Sequence, residues 1–217
     1  MAAFPSSLPP TMRAWTYTSR GLPEDVLQLS TFPTPDPSSL LANEVLVKIS
    51  HVGIPQGAAV LIGILPHFTS TPWIACQDFS GTIVATGTSI THVIPGDLVF
   101  GSPNPKEFFT GKYNGVLVEY AILPGTTVVQ KPKNITMASV AGIAGPGCPA
   151  IQFCELVRLK EGDSVLITGA SGGTGSLTVQ VARRIVGKAG RVVGTCSAVN
   201  AELVRGLGVD EVSRAAD

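Results

Sequence analysis

The sequence predicts two structural classes in succession, an antiparallel β domain followed by the beginning of a doubly wound α/β domain. Its 217 residues include 24 glycines and 17 prolines, which are costly inside helices and favour a turn-rich chain. Short strand patterns separated by Gly and Pro continue to about residue 133. Beyond that point apolar residues recur at helical spacing, and a continuous apolar strand pattern leads into a helix. We therefore divide the chain into a flexible tail (1–11), a β domain (12–133) and a partial α/β domain (134–217).

The composition predicts a soluble, cytoplasmic protein that binds neither nucleic acid nor membrane. Hydrophobic residues make up 44% of the chain and charged residues only 14%, which favours a packed core over disorder. The 15 basic and 15 acidic residues leave no positive excess to neutralise phosphates. The N-terminus lacks the basic and apolar regions of a secretory signal, and no apolar stretch is long enough to span a bilayer. The four cysteines never form C-x-x-C, so we expect free, mostly buried thiols.

Strands of the β domain are predicted from alternating side chains and from the turn residues between them. The first is Arg13–Tyr17. The strongest is Glu44–Ser50, in which two valines and Ile49 share one face and Leu46 lies on the other. Further strands are predicted at 78–87, 97–101, 115–123 and 128–132. This density of short strands is typical of a closed or sandwich-like antiparallel β domain.

The α/β domain opens with two helical patterns, 137–144 and 150–158, which are separated by the sequence Gly-Pro-Gly. The apolar run Ser164–Thr168 then predicts a parallel strand buried on both faces. It is followed by a helix at 176–186, a strand at 190–195, a helix at 201–207 and the start of a third strand at 209–212. We expect this third strand to be an exposed edge with an apolar row of side chains.

A glycine-rich turn, Gly169–Gly175, joins the first of these strands to the following helix. Glycines at 169, 172 and 175 repeat at intervals of three, a variant of the dinucleotide-binding fingerprint in its expected strand–turn–helix context. Such glycines permit a tight turn, backbone approach to a pyrophosphate, and close packing of helix on strand. The alternative is a glycine-rich turn with no ligand. The candidate cofactor-binding residues are Gly169, Ser171, Gly172, Gly173, Thr174, Gly175, Thr195, Ser197 and Asn200.

The end of the second strand favours NADP over NAD. An NAD site usually places Asp or Glu here to hold the ribose 2′-hydroxyl. This chain has no acid until Glu202, which falls on the next helix, whereas Ser197 and Asn200 could donate to a 2′-phosphate. The loop contains no Arg or Lys to add a charge-assisted hydrogen bond.

Several motifs in combination resemble the zinc-free quinone-oxidoreductase branch of the medium-chain dehydrogenase/reductase family, from about residue 12 to residue 217. The resemblance is carried by segments 78–81, 93–101, 115–120, 163–176, 179–182 and 207–212. It implies a GroES-like β domain followed by an incomplete Rossmann domain. It also implies that a quinone, enone or other activated carbonyl binds between the two domains and is reduced by hydride from NADPH. A homodimer is the assembly that the complete family fold would allow.

The same resemblance argues against a zinc site. Zinc-dependent members take a Cys from the loop after the strand at 44–50, and a His-Glu pair where this chain has Gln77 and Asp78. The segment Val52–Pro66 contains neither Cys nor His, and His51, His67 and His92 are isolated in the sequence. We therefore expect no metal.

No catalytic residue can be named from the sequence. Zinc-free members commonly carry polar residues where this chain has Pro55–Val60, and a Thr where it has Pro149. Lys112 and Tyr113 could face a cleft, although ordinary surface positions explain them better.

Three hypotheses remain for the function. The sequence favours an NADPH-dependent quinone or enone reductase, with this chain a truncated form, because only three of the six strands of a complete domain are present. The alternatives are a catalytically inactive pseudoenzyme with a binding or regulatory role, and a purely structural module.

Overall fold

The computed structural model describes residues 8–64, 72–103 and 115–214, and the chain divides into two compact units that meet between Ala144 and Gly145. The predicted domain boundary lies earlier, between residues 133 and 134. The strands of the first unit are β1 (Thr11–Tyr17), β2 (Gln28–Pro33), β3 (Glu44–Val52), β4 (Trp73–Ile74), β5 (Phe79–Thr86), β6 (Leu98–Gly101), β7 (Tyr120–Pro124) and β8 (Val128–Gln130). Its helices are α1 (Pro23–Val26), α2 (Gln56–Ile64) and α3 (Met137–Val140).

The first unit is built from two antiparallel sheets, with strand orders β7-β3-β5-β6-β8 and β2-β1-β4. Strand β3 pairs with β5 on one side and with β7 on the other. Its residues Val45, Leu46 and Val47 are all fully buried. The predicted alternation is therefore incomplete, because Leu46 is buried as deeply as the valines on the opposite face.

The strand predicted at 115–123 begins only at Tyr120, so this prediction was too long at its start. A Cβ atom on Gly115 would lie 2.2 Å from the carbonyl oxygen of Ile74, which fixes a close backbone approach there. The next two amides donate to the carbonyls of Cys76 and Ala75 at 3.0 Å. The start of segment 115–119 therefore packs against residues 74–76 without forming a regular strand, and local sequence does not predict this contact.

The second unit contains helix α4 (Ala144–Leu156), strand β9 (Ser164–Ile167), helix α5 (Gly173–Val186), strand β10 (Arg191–Cys196), helix α6 (Ala201–Gly206) and strand β11 (Glu211–Arg214). The three strands are parallel and lie in the order β11-β10-β9. The sequence predicted that Gly145–Gly147 would interrupt the helical pattern, but α4 runs straight through it. Proline and glycine are tolerated there because the first helical N–H groups have no intrahelical partner to lose.

Only one face of the parallel sheet is well covered by the described residues. Val192 and Cys196 are buried on that face, and a Cβ on Gly194 would lie 3.1 Å from the side chain of Val204 in α6. On the opposite face Leu166 of β9 is 62% exposed. The prediction of a strand buried on both faces is therefore wrong for β9.

Two strands of the sheet are edges. Strand β11 is an edge, as predicted, but its exposed residues Glu211 and Ser213 are polar. Among the strands of the described residues, β9 occupies the other side of the sheet, pairs with β10 and carries the apolar side chains. The sequence placed the apolar edge on the wrong strand because strand order depends on contacts between distant segments.

The four cysteines are free thiols. Cys76, Cys154 and Cys196 are buried, while Cys148 is exposed. Burial, together with the nearby carboxylate of Asp78, raises the pKa of Cys76 to about 11.

Within residues 8–64, 72–103 and 115–214, we find no helix with both the length and the apolar character needed to cross a bilayer.

Arg183 on α5 ties together the loops that lead into β10 and β11. Its Nε donates to the carbonyl of Gly208 at 2.8 Å, and its Nη1 donates to the carbonyls of Gly187 at 2.8 Å and Gly190 at 3.2 Å. Its Nη2 forms an ion pair with Asp210. The Arg183 side chain therefore binds three backbone carbonyls and a carboxylate, and these contacts connect α5 to the loops that precede β10 and β11.

Candidate functional site

The turn between β9 and α5 is a tight glycine loop. Gly169 has a φ of +64°, a left-handed conformation that glycine adopts without strain. A Cβ atom on Gly175 would lie 2.1 Å from the carbonyl oxygen of Gly169, so the helix passes directly against the turn. The predicted roles of these two glycines, a tight turn and close packing, match this geometry.

The N-terminus of α5 presents unpaired backbone amides. Gly172 is the N-cap and provides no side chain to accept from them. The first amide bonded to the cap is that of Ser176, which donates to the carbonyl of Gly172 at 2.8 Å. The amides of Gly173, Thr174 and Gly175 have no partner within the described part of the chain. Three free donors thus lie at the positive end of a 14-residue helix, an arrangement that favours a bound anion.

Thr195, at the end of β10, fixes the position of the glycine turn. Its hydroxyl accepts a hydrogen bond from the amide of Gly169 at 3.2 Å, and its carbonyl accepts from the amide of Ala170 at 2.8 Å. The sequence placed Thr195 among the cofactor-binding residues. The structure shows it contacting the turn, which gives it a positioning role.

Asn200 links the glycine turn to the loop after β10. Its side-chain amide donates to the hydroxyl of Ser171 at 3.3 Å and to the hydroxyl of Ser197 at 3.1 Å. The three side chains form a cluster of neutral donors and acceptors beside the turn. The first carboxylate after β10 belongs to Glu202, which is exposed on α6. The nine candidate residues predicted from the sequence therefore belong to the glycine turn, to the start of α5, to the end of β10 or to the loop after it.

A groove of about 500 Å³ adjoins the turn, between α4, β9 and α5. Its walls are mainly apolar and include Phe153, Val157 and Leu166, while the threonine that follows β9 and two threonines of α5 contribute polar atoms. Buried Cys154 also lines it, and burial raises the pKa of that thiol. The sequence does not predict this groove, because the strand at 164–168 was expected to be buried on both faces.

The two histidines that the structure describes, His51 and His92, each lie within hydrogen-bond distance of a neighbouring oxygen atom. The Nδ1 of His51 lies 3.0 Å from the hydroxyl of Ser50, and the Nε2 of His92 lies 3.0 Å from the carbonyl oxygen of Gly125. His67, Lys112 and Tyr113 fall outside the described residues. In the part of the chain that is described, no three His, Cys, Asp or Glu side chains group together in a way that could hold a metal ion.

Comparisons with known proteins cover nearly the whole chain. The alcohol dehydrogenase GroES-like domain matches residues 41–133. The trans-enoyl reductase poxH of Penicillium oxalicum is 31% identical over 237 residues, covering 93% of this chain and 60% of that protein. The chloroplastic NADPH-dependent alkenal/one oxidoreductase of Arabidopsis thaliana is 31% identical over 208 residues, covering 94% of this chain and 53% of that protein.

A solved structure of a quinone oxidoreductase has a similar fold. The quinone oxidoreductase of Coxiella burnetii superposes with a TM-score of 0.79 at 25% identity, covering 94% of this chain and 62% of that protein. The chain thus spans less than two thirds of the length of each of these relatives. The GroES-like fold and the partial parallel sheet expected from the sequence are confirmed.

Proposed function

Because the chain belongs to the medium-chain dehydrogenase/reductase family, we propose that it acts in the NADPH-dependent reduction of enones, alkenals or quinones. The observation that carries the proposal is the row of three free amides at the start of α5, set against an intact glycine turn. The relatives whose names state an enoyl, alkenal or quinone substrate support this chemistry.

NADPH fits the residues around the turn. The amides of Gly173, Thr174 and Gly175 suit the pyrophosphate, because a helix N-terminus favours a bound anion. The cluster of Ser171, Ser197 and Asn200 suits the adenosine ribose and its 2′-phosphate, since it supplies hydrogen-bond donors and no negative charge. A hydride for an electron-poor carbon of the substrate would come from NADPH held by these residues.

The contribution of the chain to this reaction is binding and orientation. Hydride transfer depends mainly on holding the two reactants in alignment, and we assign no acid or base among the described residues. We further propose that the reaction proceeds without zinc. Gln77 stands where zinc-dependent members carry a histidine ligand, and an amide side chain is not a usual zinc ligand.

Gly172→Asp is the test of the cofactor site. We expect NADPH affinity to fall at least 100-fold, because a carboxylate at the N-cap would repel the pyrophosphate and take up the amides that bind it. Folding should be retained, since aspartate is a favoured N-cap residue and the φ of Gly172 is −73°. Quenching of protein fluorescence during an NADPH titration would measure the affinity, and thermal unfolding would measure the fold.

Gly172→Asn is the matched control, because asparagine has nearly the same shape and carries no charge. We expect it to bind NADPH more tightly than the aspartate variant. Equal NADPH affinity in the wild type and in Gly172→Asp would refute the site. NADPH binding without oxidation of NADPH by any enone or quinone would instead favour the pseudoenzyme alternative.

Ser197→Asp tests the choice between NADPH and NADH. A carboxylate here would repel a 2′-phosphate and accept a hydrogen bond from a 2′-hydroxyl. We expect NADPH to bind at least 10-fold more weakly while NADH binds as well as before or better. Ser197→Asn serves as the uncharged control. A parallel loss of both cofactors would show that Ser197 does not lie near the 2′-position.

A further inference from the structure

The first three residues of the glycine turn are each hydrogen-bonded to the end of β10 or to the loop after it. Thr195 accepts from the first two amides of the turn, and the hydroxyl of Ser171 accepts from the side chain of Asn200. The backbone amide of Asn200 donates to the carbonyl of Ser197 at 3.0 Å, which fixes residue 200 beside Ser197. Asn200 therefore joins the loop after β10 to the glycine turn.

The side-chain amide of Asn200 uses both of its N–H groups on serine hydroxyls. One N–H donates to the oxygen of Ser171 at 3.3 Å, and the other donates to the oxygen of Ser197 at 3.1 Å. The atom of the amide that is left is its carbonyl oxygen, which accepts hydrogen bonds and repels a phosphate. This arrangement differs from the direct contact that the sequence suggested, in which Asn200 itself donates to a 2′-phosphate.

Both serine hydroxyls keep their own proton available. A hydroxyl has one O–H donor and two acceptor lone pairs. Asn200 occupies one lone pair of each hydroxyl, and within the described residues neither O–H donates to a protein acceptor. Because the amide protons point at both oxygens, each hydroxyl proton must turn away from Asn200. The cluster therefore presents two O–H donors, those of Ser171 and Ser197, on its side away from the asparagine.

The spacing of the two hydroxyls suits one phosphate group. Two hydrogen bonds from a single amide nitrogen diverge by about 120°, which places the serine oxygens roughly 5–6 Å apart. Phosphate oxygens accept O–H···O⁻ hydrogen bonds of about 2.6 Å, so one phosphate lying between the hydroxyls can accept from both. Segment 197–200 contains no Arg or Lys, so selectivity for a 2′-phosphate has to come from neutral donors such as these.

We propose that Asn200 is a positioning residue for NADPH, which orients the hydroxyls of Ser171 and Ser197 so that both donate to the 2′-phosphate. The proposal rests on the proposed use of NADPH. A hydroxyl that is held in one orientation before binding loses less rotational freedom when the phosphate arrives. Removal of the Asn200 amide should therefore weaken binding of the 2′-phosphate, although both serine donors remain.

Nucleotides that lack the nicotinamide test this proposal separately from the reaction. Adenosine 2′,5′-bisphosphate and adenosine 5′-monophosphate differ only in the 2′-phosphate, and calorimetric titration of the 217-residue protein measures the affinity for each. We expect the wild type to prefer the bisphosphate about 100-fold, since each hydrogen bond to a charged group contributes roughly 10-fold. The ratio of the two affinities in one sample does not depend on the fraction of the protein that is folded.

Asn200→Leu removes both N–H groups at a similar side-chain size. We expect the preference for the bisphosphate to fall about 10-fold, whereas Asn134→Leu, the same change at an exposed asparagine of the first unit, should leave it intact. The double variant Ser171→Ala/Ser197→Ala should bind the two nucleotides equally. Adding Asn200→Leu to that double variant should not change the ratio further, because Asn200 acts through the two serines.

Three results would overturn the proposal. The first is a wild type that binds the two nucleotides equally or binds neither. The second is an unchanged ratio in Asn200→Leu, which would show that the serines donate without its help. The third is a further fall of the ratio in the triple variant, which would show that Asn200 contacts the phosphate itself. Failure of the proposed reduction has a different signature, namely a retained preference for the bisphosphate without oxidation of NADPH by any enone or quinone.

Discussion

Gly175→Ala is expected to abolish NADPH binding and to destabilise the second unit by about 2–3 kcal/mol. An added Cβ would lie 2.1 Å from the carbonyl oxygen of Gly169 and 3.0 Å from the Cα of Ala170. Both atoms belong to the backbone of the turn, so the clash cannot be relieved by rotating a side chain. The start of α5 must therefore move away from the turn, and its amides lose the arrangement that suits a pyrophosphate.

Two measurements separate the effects of this substitution. NADPH titration reports the site, and far-ultraviolet circular dichroism during urea unfolding reports the helices, because most of the helical residues in the described part of the chain belong to the second unit. Gly206→Ala is the control, because a Cβ at that position meets no atom within 4 Å and alanine favours a helix. We expect that variant to bind NADPH normally and to be at least as stable as the wild type. Unchanged NADPH affinity in Gly175→Ala would contradict the proposed role of the turn.

The cofactor turn could be predicted from sequence because its chemistry is local. Gly169 and Gly175 occupy positions where backbone conformation or close approach excludes a side chain, and the strand and helix around them follow from short patterns. The sequence predicts that Asn200 and Ser171 belong to the same site, but it does not predict the hydrogen bond between them. Hydrogen-bond partners that lie 29 positions apart depend on how the βαβ unit closes.

Features that the sequence does not predict depend on contacts between segments that are distant along the chain. The irregular path of segment 115–119, the burial of Leu46 and the exposure of Leu166 are all set by non-local packing. An apolar run such as that of β9 predicts a strand, but it cannot tell how many neighbours the strand has.

Arg183→Met should cost the second unit about 2–3 kcal/mol of unfolding free energy, the largest loss we expect from a residue outside the cofactor site. Methionine keeps the apolar stem and the helix propensity of arginine, so the loss comes from the guanidinium. Three carbonyls, those of Gly187, Gly190 and Gly208, lose a charged donor. Arg184→Met is the matched control, because Arg184 is the exposed neighbour on the same helix and makes no side-chain hydrogen bond within the described residues.

The loss of unfolding free energy in Arg183→Met should be confined to the second unit. Both tryptophans, Trp15 and Trp73, lie in the first unit, so their fluorescence reports its unfolding. Circular dichroism reports mainly the helices of the second unit. We expect the urea midpoint from circular dichroism to fall in Arg183→Met while the midpoint from fluorescence stays constant. A common shift of both midpoints would instead mean that the two units unfold as one.

Low pH should reduce the difference in unfolding free energy between the wild type and Arg183→Met. The amide of Val192 and the guanidinium of Arg183 both stabilise the carboxylate of Asp210 and hold its pKa below the ordinary value. A carboxyl with a lowered pKa in the folded state stabilises the protein above its unfolded pKa of about 3.9 and loses that contribution as pH falls further. The Arg183–Asp210 part of the difference should therefore be fully present at neutral pH and should shrink below about pH 4. A stability difference independent of pH between 2 and 7 would show that Arg183 acts through the carbonyls alone.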